Sequence, residues 1–312
     1  MRKRFWSATI AVLALALSAR GAFADAALDS LVSSERAFSA MSAAQGMKAA
    51  FLEFLGEDAI VFAPTPTNGR QVWQARQPSK ATLVWEPEFA EVSSSGDLGY
   101  TTGPWELQPP ADTTAAAADS AGAHPDSAKA AASTPPKLYG HFNTVWRKQR
   151  HGAWRVAVDI GGQHAKPNGG GVGDVTFEEG SVLPRRTMKG GRVDLRDADR
   201  DLSKAMRKAG ADAAIATWAA TDIRLSTEGQ FPAHGIDAVQ VRLDSLAGFF
   251  EYTPQGTAVA SSGDLGYTYG LAARFAVASA AASDTSVYLH VWRQEDGRTW
   301  KLALAVLNPL KR

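Results

Sequence analysis

Among the polar side chains of this 312-residue sequence, His141, Asn143 and Asp159 form the group whose spacing can bring them together. They flank Trp146 and Trp154, two tryptophans separated by a short loop that contains Gly152. If those rings stand opposite each other in a β-hairpin, counting outwards places His141 across from Asp159, with Asn143 and Ala157 on the same face. A slip of two residues would set Asn143 opposite Asp159 instead. A carboxylate beside an imidazole in an enclosed site can act as a general base, its pKa set by desolvation against partner charge. The same pair can equally close a domain interface or stand in solvent. Trp85, Tyr100 and Trp105 are the aromatic candidates for a ligand-binding wall, although Pro87 and Pro104 beside them also suit edge strands and turns.

Other chemistries find little support. The six histidines are scattered, without the paired spacing of a zinc site, and there is no cysteine to join them. Asp197, Asp199 and Asp201 begin like a calcium loop, but Leu202 stands where the turn glycine belongs and Lys208 where the bidentate glutamate belongs. The glycines around Gly171 do not link a strand to a helix in a dinucleotide pattern. The sequence therefore implies no metal and no cofactor. A formal net charge of +1 lacks the basic excess that binding a nucleic acid needs. Asp97 and Asp264 occur in Ser-Gly-Asp turns and are expected to accept backbone N–H bonds there. Trp146, Trp154, Trp292 and Trp300 are expected as core anchors.

The elements that must position these residues occur twice. Ser94 to Gly103, read Ser-Ser-Gly-Asp-Leu-Gly-Tyr-Thr-Thr-Gly, recurs as Ser261 to Gly270 with a single difference. Val145-Trp146-Arg147 with Trp154 is answered by Val291-Trp292-Arg293 with Trp300 at the same tryptophan spacing. Order and spacing agree throughout, which predicts two diverged copies of one domain. In each copy, apolar residues at helical spacing (Leu28, Leu31, Val32 and Phe38; Leu202, Met206, Ile215 and Trp218) precede short runs rich in Val, Thr, Tyr and Trp. Helices followed by a meander of strands predict an α+β fold.

The remaining segments are read by composition. Arg2, Lys3 and Arg4, an apolar run from Ala8 to Ala19 and small residues at Ala22 and Ala24 predict a secretory signal peptide over 1–24, hence a periplasmic or secreted protein. Its apolar run is shorter than a membrane span, so no insertion is expected after cleavage. The expected domains are then 25–165, with a disordered insertion over 109–136, and 192–312, joined by a linker over 166–191.

The order of helices, Asp58-Ala59-Ile60-Val61-Phe62, the Ser-Gly-Asp-Leu-Gly-Tyr motif and Val-Trp-Arg before Gly-x-Trp-Arg resembles the nuclear transport factor 2-like superfamily. Within it, the sequence looks like the ketosteroid-isomerase-like and polyketide-cyclase-like branch. That resemblance implies two tandem cones, each a curved antiparallel or mixed sheet wrapped on its N-terminal helices and open onto a mostly apolar pocket. It leaves the reaction open, since such folds serve enzymes and binding modules alike.

Two functions follow as expectations. The favoured one is an exported module that binds a small apolar or aromatic ligand in the first cone, with Trp85, Tyr100, Trp105, His141, Asn143 and Asp159 as contacts and the second cone as support. The alternative is an isomerase or cyclase in which Asp159 removes a proton beside a carbonyl and His141 or Tyr100 stabilises the oxyanion. In either case the two domains are candidates to pack together as a pseudo-dimer.

Overall fold

The structure, a computed structural model, describes residues 6–110, 135–169, 171–180, 195–295 and 299–310, with side chains from Asp25 onwards. Residues 1–5 of the expected signal peptide, most of the expected insertion and much of the expected linker lie outside those residues; the rest of the signal segment, 6–24, is the N-terminal part of a helix. No helix among the described residues is long and apolar enough to cross a membrane.

The first half runs α1 (Trp6–Gln45), α2 (Met47–Phe54), β1 (Leu55–Phe62), β2 (Pro66–Asn68), α3 (Gly69–Ala75), β3 (Thr82–Trp85), β4 (Phe89–Val92), β5 (Leu98–Gln108), β6 (Leu138–Lys148), β7 (Trp154–His164) and β8 (Glu178–Glu179). The second runs α4 (Leu195–Ala209), α5 (Ala211–Trp218), β9 (Ala219–Thr227), β10 (Ala233–His234), α6 (Ile236–Leu246), β11 (Phe249–Val259), β12 (Leu265–Phe275), β13 (Asp284–Gln294) and β14 (Trp300–Pro309). The sheets have the orders β2-β1-β7-β6-β5-β4-β8 and β10-β9-β14-β13-β12-β11, with β3 also on β5. In both, a parallel pairing (β1 with β7, β9 with β14) brings the first long strand back beside the last, and the first sheet has a second parallel pair in β4 with β8. This is the expected α+β architecture of two mixed sheets, each wrapped by its own helices. Within the expected linker, β8 pairs with β4 as an edge strand.

Each sheet is apolar on both faces. The inner faces close on the helices, with Trp146 and Trp154 among the buried residues around Leu31 and Phe51, and Trp292 and Trp300 around Leu202 and Ile215. The tryptophans are thus the anchors their spacing suggested. The outer faces share a third apolar cluster, in which Tyr100, Val145 and Ile160 meet Tyr267, Leu289 and Leu304. Gly99 and Gly266 of the repeated motif have a close-packing role. A Cβ on Gly99 would stand 2.6 Å from the Leu31 side chain, and one on Gly266 would stand 2.5 Å from Leu195, so only glycine lets each helix lie flat on its sheet.

The Ser-Gly-Asp turns do more than cap themselves. Asp97 accepts from Ser95 Oγ at 2.5 Å within its own turn, and also from the Ser261 amide at 3.1 Å and the Ser261 hydroxyl in the other copy. Asp264 returns the contact by accepting from the Ser94 amide at 3.1 Å, and the hydroxyls of Ser95 and Ser262 lie 2.8 Å apart. Burial works against the Asp97 charge, but the bonds from Ser261 and Ser95 outweigh it and lower its pKa. Asp97→Ala should therefore lose about 2 kcal/mol in urea unfolding at neutral pH, since bonds to a charged acceptor are worth about 1.5–3. A depressed native pKa contributes above the unfolded value, so this loss should fade as the pH drops below about 4. An unchanged midpoint at pH 7 would show that the exchanged bonds contribute nothing.

Candidate functional site

The tryptophan-to-tryptophan register does not hold in the closing hairpin. The turn bonds Gln149 to Ala153, so Trp154 pairs with Lys148 and Trp146 with Val156. A bulge between Val145 and Trp146 then shifts the strands by one more residue, placing Thr144 opposite Asp159 and His141 opposite Gly162. A one-residue shift turns a side chain to the other face. Asp159 accordingly faces the helices, while Tyr100, His141 and Asn143 face the second half.

A cavity of about 380 Å³ lies between the helices and the inner face of the first sheet. Its walls include Phe38, Phe51, Trp85, Trp105 and Phe142, with Asp159, Thr144 and Glu35 as polar groups. The rings brace one another: Phe38 stands 4.7 Å from Trp85 in an edge contact, and Phe142 6.3 Å from Trp85. Trp105 pairs with Gly140, where a Cβ would come within 2.3 Å of the indole, so this glycine makes room for the ring to lie across the sheet. At the rim the second half takes part. Glu228 accepts from the Gln163 amide at 2.9 Å, and Asn308 donates to the Gly161 carbonyl at 2.9 Å.

Two carboxyl groups give the cavity its character. Asp159 accepts from Thr144 Oγ1 at 2.8 Å. Burial pushes its pKa up to about 6, with the Thr144 bond opposing, and no cation acts on it. Glu35, on α1, is fully buried and accepts from Trp85 Nε1 at 2.5 Å, Trp146 Nε1 at 2.8 Å and Thr101 Oγ1 at 2.5 Å. Burial raises it to about 7 despite those three donors, and Asp159 adds to the rise. Glu35 sits on the apolar stripe of its helix, between Leu31 and Phe38, a position that apolar periodicity does not mark as polar. The available signal was Asp199, which stands four residues after Leu195 as Glu35 does after Leu31.

Of the six expected contacts, Trp85, Trp105 and Asp159 line the cavity. Tyr100 is buried in the outer cluster and bonded to Glu91, and burial raises its pKa well above the ordinary value. His141 Nδ1 lies 2.7 Å from His164 Nε2, with its Nε2 3.6 Å from Glu88. Asn143 is fully buried and accepts from Thr102 at 3.2 Å and, in the second half, from Ser226 at 3.3 Å. These three groups make contacts on the outer face, away from Asp159.

The second half fills the equivalent space. Tyr252 and Ala272 pair where Trp85 and Trp105 do, and Ala305 replaces Asp159 opposite His290. Tyr288 donates to Asp199 at 2.6 Å and His290 Nδ1 lies 2.9 Å from it, all three groups being completely buried. Its carboxylate is therefore satisfied within the core, without a cavity wall of its own.

Both halves have an open mixed sheet wrapped by helices, the arrangement that the resemblance to the nuclear transport factor 2-like superfamily implies. Neither a protein-family model nor a curated protein matches the sequence. Among solved structures, the chain is similar to an NTF2-like protein with a cystatin-like fold from Novosphingobium aromaticivorans (16% identity over 38% of this chain and 80% of that one, TM-score 0.30). It is similar also to a ketosteroid isomerase-like protein from Erwinia carotovora atroseptica (19%, 38% and 95%, TM-score 0.30). An NTF2-like protein from Cytophaga hutchinsonii gives 15% identity over 38% of this chain and 100% of that one, with a TM-score of 0.29. At such identities and TM-scores these likenesses carry no argument about a reaction.

Proposed function

We propose that the chain is an exported small-molecule-binding protein whose ligand occupies the cavity of the first half. The single observation that carries this reading is an aromatic-walled space in which the carboxyl group of Asp159 stands where the second half has Ala305. Its size is that of a small-ligand site. The second half supports the cavity and closes its rim through Glu228 and Asn308. The shared apolar cluster and the exchanged Ser-Gly-Asp bonds support a pseudo-dimeric packing of the two domains. The export in this proposal rests on the signal-like pattern of residues 1–24.

Leu83 lines the cavity, so Leu83→Trp should fill it. With the neutral dye Nile red as probe, the wild type should show a saturable fluorescence rise and Leu83→Trp should bind at least about tenfold more weakly, a loss of about 1.4 kcal/mol. Equal binding by a folded Leu83→Trp would sink the cavity reading.

A second reading is favoured by the position of Asp159, whose pKa of about 6 suits a general base at neutral pH. In it, Asp159 takes a proton beside a carbonyl. Because Tyr100 and His141 face away, the acid partner is protonated Glu35. Deuterium exchange into an activated ketone, lost in Asp159→Asn, would support proton transfer; equal exchange in that variant would refute it.

A further inference from the structure

The walls of the cavity say something about the charge of its occupant. Its ionisable lining groups are Glu35, Asp159 and, at the rim, Glu228. No Lys, Arg or His is among the described residues that line it. An adjoining hollow that shares Asp159 and Glu228 does hold Arg76, but that guanidinium is stacked 4.4 Å over the Trp73 ring. Around Asp159, then, the protein supplies a hydroxyl from Thr144 and aromatic surface, without a counter-charge.

A carboxylate withdrawn from water needs an opposite charge to be comfortable in its ionised form, and the raised pKa of Asp159 reflects the lack of one. Aromatic faces carry negative potential, so Trp85, Trp105 and Phe142 disfavour an anion and favour a cation at the same place. Both effects have the same sign. They act along an apolar path that accommodates a hydrocarbon body, behind a rim whose own charge comes from Glu228.

We propose that the first-half cavity selects hydrophobic organic cations, an alkyl or aryl body with a protonated amine seated at Asp159 among the aromatic rings. This rests on the binding reading and adds the charge of the ligand to it. The ammonium would supply the counter-ion that the protein withholds, and its N–H groups would meet the carboxylate that Thr144 orients. The neutral relative of such a ligand leaves Asp159 unpaired, and the anionic relative adds repulsion from three carboxyl groups.

The test compares three probes of one shape on the full chain: 4-phenylbutylammonium, 4-phenylbutan-1-ol and 4-phenylbutanoate, by calorimetric titration at pH 7.5. The ammonium should bind at least tenfold more tightly than the alcohol, and the alcohol more tightly than the carboxylate. In Asp159→Asn the advantage of the ammonium over the alcohol should shrink to within about twofold. Trp105→Leu should weaken the ammonium more than the alcohol. Equal binding of ammonium and alcohol by the wild type overturns the proposal and leaves the cavity reading intact, as does an ammonium preference that survives Asp159→Asn. Failure of all three probes in a protein that also fails to take up Nile red overturns both.

Discussion

Arg293→Met is expected to destabilise the protein by about 3–5 kcal/mol, one of the largest effects of any single substitution outside the apolar cores. Arg293 belongs to the second half, yet its Nη1 lies 3.1 Å from Glu91 Oε1 of the first, and Glu91 is completely buried. Its Nη2 reaches Asp222 at 2.5 Å and Glu295 at 3.1 Å. Burial pushes the Glu91 carboxyl up against the pull of Arg293, whereas for Arg293 the carboxylates outweigh burial and push the pKa higher still. The arginine direction governs, because a guanidinium keeps its proton in any protein and a charged group at that distance holds Glu91 ionised. Removing the guanidinium takes the facing cation away from a carboxylate buried between the halves, and a neutral donor such as the Tyr100 hydroxyl does not replace that charge. The double variant Arg293→Met/Glu91→Gln should recover much of the loss, since replacing both partners removes the stranded charge. Urea unfolding reads both. A loss below about 1 kcal/mol in the single variant would mean that water reaches Glu91 and that the halves part more readily than their shared cluster suggests.

That ion pair also shows where the repeat stops being symmetrical. Arg147 is the first-half equivalent of Arg293 and is exposed, and the position equivalent to Glu91 is Ala258. The turn contact is reciprocal, whereas among the described residues the tie to a buried glutamate is made by Arg293 alone of the two arginines, and the carboxyl group of the first-half cavity is answered by Ala305. Divergence has put the charged tie on one side and the polar cavity on one side, with the same backbone beneath both.

The repeat made the architecture legible. A motif that recurs with one change fixes two copies, and helical stripes followed by strand-like runs fix the order of elements in each. The site was less legible because two of its determinants leave little local trace. The bulge beside Trp146 inserts one residue into β7, and neither strand's composition distinguishes that register from one in which the tryptophans face each other. That single residue moved Asp159 away from His141 and into the cavity. Glu35 is invisible to a reading of apolar stripes, because its three donors, Trp85, Thr101 and Trp146, come from strands 50 to 111 residues away in sequence. Glu228 reaches the rim from the other half, which no reading of the first copy by itself could show.

Asp159→Asn is expected to make the protein more stable at pH 8, by on the order of 2 kcal/mol. Asparagine can still accept from Thr144 Oγ1 and fits the same space, but it has no charge to desolvate. The native pKa of Asp159 is raised from 3.8 to about 6. Between about pH 4 and pH 6 the native state therefore keeps a proton that the unfolded chain has released. With the native state binding more protons, stability falls as the pH rises through that window and stays low above it. A rise of that size corresponds to roughly 3 kcal/mol, reduced because Asp159 keeps contact with the cavity and its water. The gain from Asp159→Asn should accordingly be near zero at pH 4, grow through pH 6 and level off by pH 8. Glu35, raised from 4.5 to about 7 by burial, gives the wild type a second falling limb in the same direction that the variant retains in weakened form. Stability curves of both proteins across pH 4–8 decide the matter. A variant that is less stable at pH 8, or a gain that does not change with pH, would mean that Asp159 already has a partner and that the fold benefits from its charge. The expected result would instead mark Asp159 as a residue the fold would be better off without, which is the mark of a group kept for a ligand.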